Sequence, residues 1–345
     1  MFKKLTTRLP LFPNPIELFG MRSWEQVGAD LDQVIRGWLK RDQFQLDPSS
    51  LELFRPDLAI PAYAGLMPED GLSPVLHLFD RVKGGQHYSQ RVTRKSCRDF
   101  RGGRLSYDEH DGTDLVCPPG TPVTAAAPGR VVLIRDQWLR GGLTVVVDHG
   151  HGLLTHYTHC YRTLAEPGQM LERGEALALA GVSGLDMFSS FPWVPPHIHF
   201  MVWWQGRPVD PFRQDAEADR PGFWLHGNTP RPAAALETDA PPPESPSEQA
   251  AIEQLRRQCQ DPRLSAELER WANQPAALAA LLEDALHHQR KAWPEDLAIE
   301  SLRPAPPDQD LAAALAIGLT LPLPLDYRGL RLADTLLTQP AVRTD

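Results

Sequence analysis

Between residues 105 and 213 the chain alternates short runs of β-forming residues with turn residues. This pattern restricts the possible folds more than any other feature of the sequence. Pro128-Gly129 and Pro167-Gly168 mark two of the turns. Turns this closely spaced favour neighbouring strands over crossover helices. We therefore predict a mainly β fold, with an antiparallel β-sheet domain over residues 105–213. The runs that predict its strands cover residues 131–134, 143–147, 153–160, 176–180 and 198–204.

The residues before this region predict an N-terminal segment, 1–104, with one amphipathic helix. Ser23 begins a helical apolar repeat that continues to about Lys40, with Gln26 placed for a capping box. The stretch 47–88 is rich in Pro and Gly and predicts irregular structure packed on something larger. Proline accounts for 34 of the 345 residues, which favours interrupted segments over one continuous helical bundle.

The residues after this region predict a linker and a helical module. Residues 214–247 include a proline-rich, acidic stretch with little to bury, which is typical of a linker. Residues 248–345 predict a small all-α module that offers a surface for a protein partner. Its His287-His288 pair has no third ligand nearby in the sequence, so we interpret both residues as surface or partly buried imidazoles. The helical runs cover residues 248–259, 265–273, 275–292 and 311–319.

Composition and charge argue against several classes of protein. Hydrophobic residues make up 42% of the chain and charged residues 23%, and no apolar run reaches the roughly 18 residues of a transmembrane segment. Acidic residues outnumber basic ones by 44 to 35, so no nucleic-acid partner is expected. The basic run between Arg81 and Arg104 is interpreted as a solvated loop. No signal peptide is readable, which by itself predicts a cytoplasmic protein.

Histidines are concentrated in the predicted sheet. His110 is followed four residues later by Asp114, and such a pair can supply two of the three protein ligands of a catalytic zinc. Because side chains alternate along a strand, His197 and His199 share one face while Ile198 points to the other, toward a core. If one of these two imidazoles binds a metal, the other is placed to assist proton transfer beside it.

A second histidine pair lies in the run 155–159. Strand alternation predicts that His159 shares a face with Thr155 and Tyr157, and that His156 lies on the opposite face, so only one of the two histidines joins the site. For His156 and for His149 we favour an imidazole that is hydrogen-bonded within the sheet.

Seven short motifs follow one another through this region. They are His110-Asp111-Gly112-Thr113-Asp114, Pro119-Gly120-Thr121-Pro122-Val123-Thr124-Ala125, Ala127-Pro128-Gly129-Arg130-Val131-Val132, Val147-Asp148-His149-Gly150-His151-Gly152, Tyr157-Thr158-His159, Pro196-His197-Ile198-His199-Phe200 and Gly206-Arg207-Pro208-Val209-Asp210-Pro211. In this order they resemble the motifs of the M23 zinc metallopeptidases, the lysostaphin and LytM type. The resemblance covers residues 105–213, about a third of the chain.

The resemblance implies a site and an activity. His110, Asp114 and His199 would bind Zn²⁺, and His159 and His197 would be the catalytic pair. The implied reaction is that of a zinc metalloendopeptidase, which hydrolyses peptide bonds in peptidoglycan cross-links or in another peptide substrate. Family members of this kind act in the periplasm or outside the cell, which contrasts with the unreadable signal peptide.

Two other functions are consistent with the same resemblance. Some members of the family have lost metal ligands and serve as non-catalytic modules that activate cell-wall hydrolases. A structural zinc without turnover would require a closed site with a fourth protein ligand. The complete set of five site residues favours catalysis.

One segment departs from the family pattern. The loop before Pro196 is longer and more apolar than the short Ser, Thr and Gly loop that is usual there. We expect it either to form one wall of the substrate groove or to pack against the N-terminal segment. Its large apolar residues are Met187, Phe188, Phe191 and Trp193.

Overall fold

The fold is described from a computed structural model. The described residues are 2–4, 14–28, 31, 54–79, 81–82, 97–98, 110–137, 141–213, 222–234, 244–297, 302–303 and 308–332. The predicted basic loop at 81–104 and the predicted helix beyond residue 31 lie largely outside them. The start of that helix is described, since residues 24–28 are helical and the Gln26 N–H donates to Ser23 Oγ at 3.1 Å.

Most of the described strands join one large sheet. Its path runs β11-β8-β9-β10-β13-β6-β3-β15, with β12, β7 and β14 paired at its sides, and every pair is antiparallel except the parallel pair β15–β3. The predicted mainly β fold is confirmed. The strands are β1 (Phe2–Lys4), β2 (Leu66–Pro68), β3 (Leu72–Val75), β4 (Arg81–Val82), β5 (Cys97–Arg98), β6 (Thr113–Val116), β7 (Pro122–Thr124), β8 (Gly129–Gln137), β9 (Gly142–Asp148), β10 (Leu153–Thr163), β11 (Met170–Leu171), β12 (Ala176–Ala180), β13 (His197–Trp204), β14 (Arg207–Val209) and β15 (Gly329–Leu332).

Helices precede and follow the main strands of the sheet in the sequence. Those after residue 248 begin and end close to the predicted runs, and Asp261 caps the second of them by accepting hydrogen bonds from the Arg263 and Leu264 N–H groups. Apart from the helical residues 24–28, the α-helices in the described part of the chain are α1 (Pro15–Leu18), α2 (Pro56–Tyr63), α3 (Leu185–Ser190), α4 (Gln249–Gln258), α5 (Pro262–Arg270), α6 (Pro275–His288) and α7 (Asp308–Ile317).

The two faces of the sheet bury different partners. Phe200 of β13 and Tyr157 of β10 lie directly opposite each other and therefore share a face of the sheet. This face packs in the main core. On the other face, Trp203 packs with residues of α4, α5 and α6 such as Ile252 and Leu281. The apolar side of the C-terminal helices is therefore covered by the chain's own sheet. Whether 248–345 is a separate domain with a protein partner stays a prediction.

Part of the predicted linker is packed in the core. Phe223 and Trp224 are buried, and the Trp224 ring lies 5.6 Å from that of Phe200 and 5.5 Å from that of Phe212. This part of the range 214–247 is therefore not an extended connection. Its two aromatic residues, which have large apolar surface to bury, are the physical reason for the difference.

The N-terminal segment contacts the sheet at the point where the histidines gather. Strand β3 pairs with β6 through Val75 and Leu115. Just beyond this pair, the Asp114 N–H donates to His77 O at 2.9 Å and the Leu76 N–H donates to Asp114 O at 3.0 Å. These bonds place residues 76–79 directly beside the segment that carries His110 and Asp114.

The apolar loop before Pro196 packs against the N-terminal segment, which is one of the two expected positions. Met187 is buried, and the Phe19 ring lies edge-on to Phe188 and Phe191 at 5.5 and 5.3 Å. Tyr63 of α2 makes a similar contact with Phe191 at 5.0 Å. Within the described part of the chain, no helix is both long enough and apolar enough to cross a bilayer.

Candidate metal centre

Two of the predicted metal ligands, His110 and His199, converge on a carboxylate oxygen of the third, Asp114. Strands β6 and β13 pair in a register that sets Asp114 opposite His199. Asp114 Oδ1 lies 2.8 Å from His199 Nδ1 and 3.1 Å from His110 Nε2. The structure therefore brings His110, Asp114 and His199 together, as the resemblance implies.

The surroundings orient the His110 ring. Its Nδ1–H donates to the carbonyl oxygen of Leu78 at 3.1 Å, which directs Nε2 toward Asp114. Asp114 is almost fully buried. Burial raises the pKa of its carboxyl group, but the imidazoles of His110 and His197 outweigh this effect and hold that pKa well below its usual range.

His199 lies between two carboxylates. Its Nδ1 faces Asp114, and its Nε2 lies 3.1 Å from Asp111 Oδ1. Burial lowers the pKa of His199, but hydrogen bonds to Asp111 and Asp114 outweigh it and raise that pKa to about 10. Two carboxylates around one imidazole favour a cation at this position, either a proton or a metal ion.

The close approach of two segments explains the glycine in the first motif. A Cβ atom on Gly112 would lie 2.7 Å from the Phe200 carbonyl oxygen and 2.8 Å from the His199 ring. Because real side chains do not tolerate such distances, only glycine lets the loop from 110 to 114 lie flat against β13.

The predicted catalytic histidines stand beside this cluster. His197 Nδ1–H donates to Pro195 O and His159 Nδ1–H donates to Ser183 O, both at 2.8 Å, and the two rings meet edge to face at 5.0 Å. The other nitrogen of the His197 ring, Nε2, faces Asp114 and lies 3.6 Å from its Oδ1. Burial lowers the pKa of His197 to about 4, so the ring is neutral at pH 7.

The prediction from strand alternation was wrong at residues 155–159. Tyr157 pairs with Phe200 and points into the core, whereas His156 pairs with Met201 on the face that carries the site. A bulge between Tyr157 and Cys160 inserts an extra residue, and His159 adopts the left-handed conformation there with φ of 61°. The bulge resets the alternation and turns His159 to the site face.

His149 and His156 are both buried, and His149 is hydrogen-bonded as expected. His156 stacks on Trp203 with ring centroids 5.1 Å apart. The ring nitrogens of His149 lie 2.8 Å from Pro128 O and 2.7 Å from Thr155 Oγ1.

Sequence reasoning missed His77. Its ring stacks on that of His110 with centroids 3.8 Å apart, and its Nδ1 lies 4.0 Å from Asp114 Oδ2. The donor atoms of His77, His110 and Asp114 all lie within 4.8 Å of one another. No motif signalled this residue, because it reaches the site through the pairing of β3 with β6.

Sequence reasoning also missed the partner of the histidine pair on α6. His288 Nε2 lies 2.6 Å from Asp111 Oδ2, and His287 Nε2 lies 4.0 Å from the same oxygen. Both histidines are partly buried, as expected, but their sequence neighbourhood did not reveal the acidic residue beside them. The third group, Asp111, is 177 positions away in the sequence, and only the packing of α6 on the sheet brings it near.

The donor set at Asp114 fits a zinc ion. Two imidazole nitrogens and one carboxylate oxygen are ligands that zinc prefers, and three protein ligands are typical of a catalytic site. The second ring nitrogen of each ligand histidine is held by an acceptor, Leu78 O for His110 and Asp111 for His199, as is usual around protein-bound metals.

The part of the chain that carries these residues is similar to known proteins. The family model of peptidase family M23 matches residues 108–211. Peptidoglycan DD-endopeptidase ShyB of Vibrio cholerae is 35% identical over 106 residues, which are 31% of this chain and 23% of ShyB. The murein hydrolase activator EnvC of Escherichia coli is 38% identical over 93 residues, which are 27% of this chain and 20% of EnvC. This chain thus matches less than a quarter of the length of either relative.

A solved zinc-containing peptidase from Vibrio cholerae shares 26% sequence identity, covering 41% of this chain and 44% of that chain, with a TM-score of 0.28. The motifs, the pairing of β6 with β13 and the family match all fall on the same stretch of sequence. Residues 108–211 of this chain therefore form a peptidase family M23 domain.

Proposed function

We propose that the chain is a zinc-dependent endopeptidase that cleaves peptide bonds in peptidoglycan cross-links. The observation that carries the proposal is the convergence of a three-residue donor set, His110, Asp114 and His199, with His159 and His197 in one place. The similarity to ShyB, a peptidoglycan DD-endopeptidase, supports the choice of substrate. A peptidoglycan substrate would require the protein to act beyond the cytoplasmic membrane.

His110, Asp114 and His199 would hold the zinc ion. When bound, zinc would supply Lewis acidity, which polarises a scissile carbonyl and lowers the pKa of a bound water. The chain's own contribution at this point is to keep the donor atoms fixed. Buried surroundings and hydrogen bonds to Leu78 O and Asp111 provide this rigidity.

His197 would take up a proton from the attacking water. Because its Nδ1–H donates to Pro195 O, the lone pair of the neutral ring is on Nε2, which faces the site. After accepting a proton, the same nitrogen can donate to the nitrogen of the departing amine. His159 is held in the same way through Ser183 O, so its Nε2 is available to hydrogen-bond the water or the carbonyl oxygen of the substrate.

The proposal is tested by digestion of purified peptidoglycan. The zinc-loaded protein is incubated with it, and the released fragments are identified by mass spectrometry. We expect cross-linked dimers to decrease and monomers with free peptide ends to increase. Asp114→Ala should abolish this change, whereas His226→Ala, a matched substitution of an exposed histidine, should not alter it.

A second candidate function has one specific observation in its favour. His77 lies close enough to Asp114 to act as a fourth donor, and a closed site suits a non-catalytic module such as an activator of cell-wall hydrolases. EnvC, to which this chain is similar, is a murein hydrolase activator. If dimers persist with zinc bound and a separate hydrolase digests faster when this protein is added, the activator function replaces the endopeptidase proposal.

A further inference from the structure

We propose that this chain has a second metal site, formed by Asp111, His287 and His288 and separate from the site at Asp114. It would bind a first-row divalent cation such as Zn²⁺. Asp111 comes from the loop before β6, whereas the two histidines come from the last turn of α6.

The donor atoms are already close together. Asp111 Oδ2 lies 2.6 Å from His288 Nε2 and 4.0 Å from His287 Nε2, and all three donors lie within 4.8 Å of one another. Zinc bonds of about 2.0 to 2.2 Å place tetrahedral ligands about 3.3 Å apart. Shifts of less than about 1 Å at the ends of these side chains would satisfy that geometry.

The surroundings hold His288 in the orientation that a metal ligand needs. Its Nδ1–H donates to Asp284 Oδ1 at 2.9 Å, and Arg135 Nη1 donates to Asp284 Oδ2 at 2.5 Å. This carboxylate fixes the tautomer so that Nε2 is the nitrogen directed at Asp111. A carboxylate behind a histidine ligand is the usual arrangement around protein-bound metals.

The site is enclosed and still reachable. The Trp203 ring lies edge-on to His287 at 5.5 Å and near His288 at 6.2 Å, forming an apolar wall. The side chains of Asp111 and His288 are 9% and 7% exposed, and that of His287 is 14% exposed, which provides an entry path for an ion.

The two sites are adjacent but share no donor atom. Asp111 would bind the second ion through Oδ2, while its Oδ1 accepts a hydrogen bond from His199 Nε2. His199 would bind the first ion through Nδ1, on the other side of its ring. The alternative to a second ion is a proton on His288, shared between Asp111 and Asp284, and the experiment separates the two.

The experiment counts metal ions on the untagged chain of 345 residues. The protein is stripped with a chelator, equilibrated with Zn²⁺ and measured by elemental analysis and calorimetry. We expect two zinc ions per chain in the wild type and one in His287→Ala. His288→Gln, whose side chain can still hydrogen-bond both carboxylates, should also bind one. His226→Ala, an exposed histidine outside both donor sets, should retain two.

His110→Ala makes the test independent of the proposed function. We expect it to bind one ion, which the double variant with His287→Ala then loses. Circular dichroism verifies that each variant is folded. One zinc in the wild type that His287→Ala retains, or two in both proteins, would overturn the second site. If the wild type binds one ion that is lost in His287→Ala but kept in His110→Ala, the second site stands and the endopeptidase proposal fails.

Discussion

The imidazole of His77 stacks on that of His110 with ring centroids 3.8 Å apart and an angle of 21° between the ring planes. The two residues belong to different parts of the chain, since His77 follows β3 and His110 precedes β6. The His77 carbonyl accepts the N–H of Asp114, which anchors the stack to the central residue of the donor set. The N-terminal segment is therefore part of the wall of the candidate metal centre.

His77→Ala should weaken zinc binding without preventing it. Loss of the stack and of a neighbouring donor leaves His110, Asp114 and His199 in place, so we expect zinc affinity to fall about tenfold to a hundredfold, the range seen for outer-shell residues. At saturating zinc, hydrolysis of peptidoglycan should be retained or increased, since space opens beside Asp114. Competition with a chromogenic chelator measures the affinity, and an unchanged affinity would contradict the prediction.

Substitution of His199 should reduce zinc affinity, whereas substitution of His197 should reduce turnover and leave zinc bound. His199→Ala removes one of the three proposed donors, so zinc affinity should fall by orders of magnitude and activity with it. His197→Ala should keep zinc, while turnover falls about a hundredfold or more because the proposed proton acceptor is lost. Metal analysis and fragment release are measured on the same samples. Zinc loss in His197→Ala with retention in His199→Ala would reverse the assignment.

Strand alternation correctly placed His197 and His199 on one face, since β13 is regular there. The same reasoning failed at His159, because a bulge changes the count of residues along β10 and leaves no mark that a single sequence reveals. His77, His287 and His288 could not be assigned for a different reason. Each reaches the site through tertiary packing, of β3 on β6 or of α6 on the sheet, and sequence spacing carries no information about such contacts.

Gly112→Ala should disturb both the fold and the metal centre. The added Cβ would meet the Phe200 carbonyl and the His199 ring at under 3 Å, and the backbone oxygen cannot move away without breaking the sheet. We expect a stability loss of about 1 to 3 kcal/mol in urea unfolding, together with weaker zinc binding. Gly28→Ala is the control, because nothing lies within 4 Å of a Cβ at that position. Equal effects of the two substitutions would argue against the close approach.

The stability of the fold should decrease below pH 6.5 partly because of His149. Burial lowers the pKa of this residue to about 4, although the Pro128 carbonyl and the Asp148 carboxylate favour its charged form and Arg173 opposes it. Above pH 6.5 the ring is neutral in the folded and unfolded states. Below that value the unfolded state takes up a proton first, so about 3 kcal/mol of stability is lost by pH 4.

His149→Gln removes this titration while keeping a side chain that can hydrogen-bond. Its free energy of unfolding should therefore fall less steeply than that of the wild type between pH 6.5 and 4, as measured by urea unfolding at several pH values. Parallel curves for the two proteins would show that His149 does not titrate in this way.

Removing one partner of the buried ion pair Glu283–Arg303 should destabilise the fold more than replacing both partners by apolar residues. Arg303 Nε lies 2.7 Å from Glu283 Oε1 and Nη2 lies 3.0 Å from Oε2, and both side chains are 3% exposed. Burial raises the pKa of the Glu283 carboxyl group, while Arg303 lowers it. Arg303→Met leaves that carboxyl group buried without its partner, so we expect the free energy of unfolding to fall by about 3 to 5 kcal/mol.

In the double variant Glu283→Met with Arg303→Met no charge remains buried, and most of the stability should return. Urea unfolding of the wild type, both single variants and the double variant gives the coupling energy, and additive losses would show that the two residues do not depend on each other.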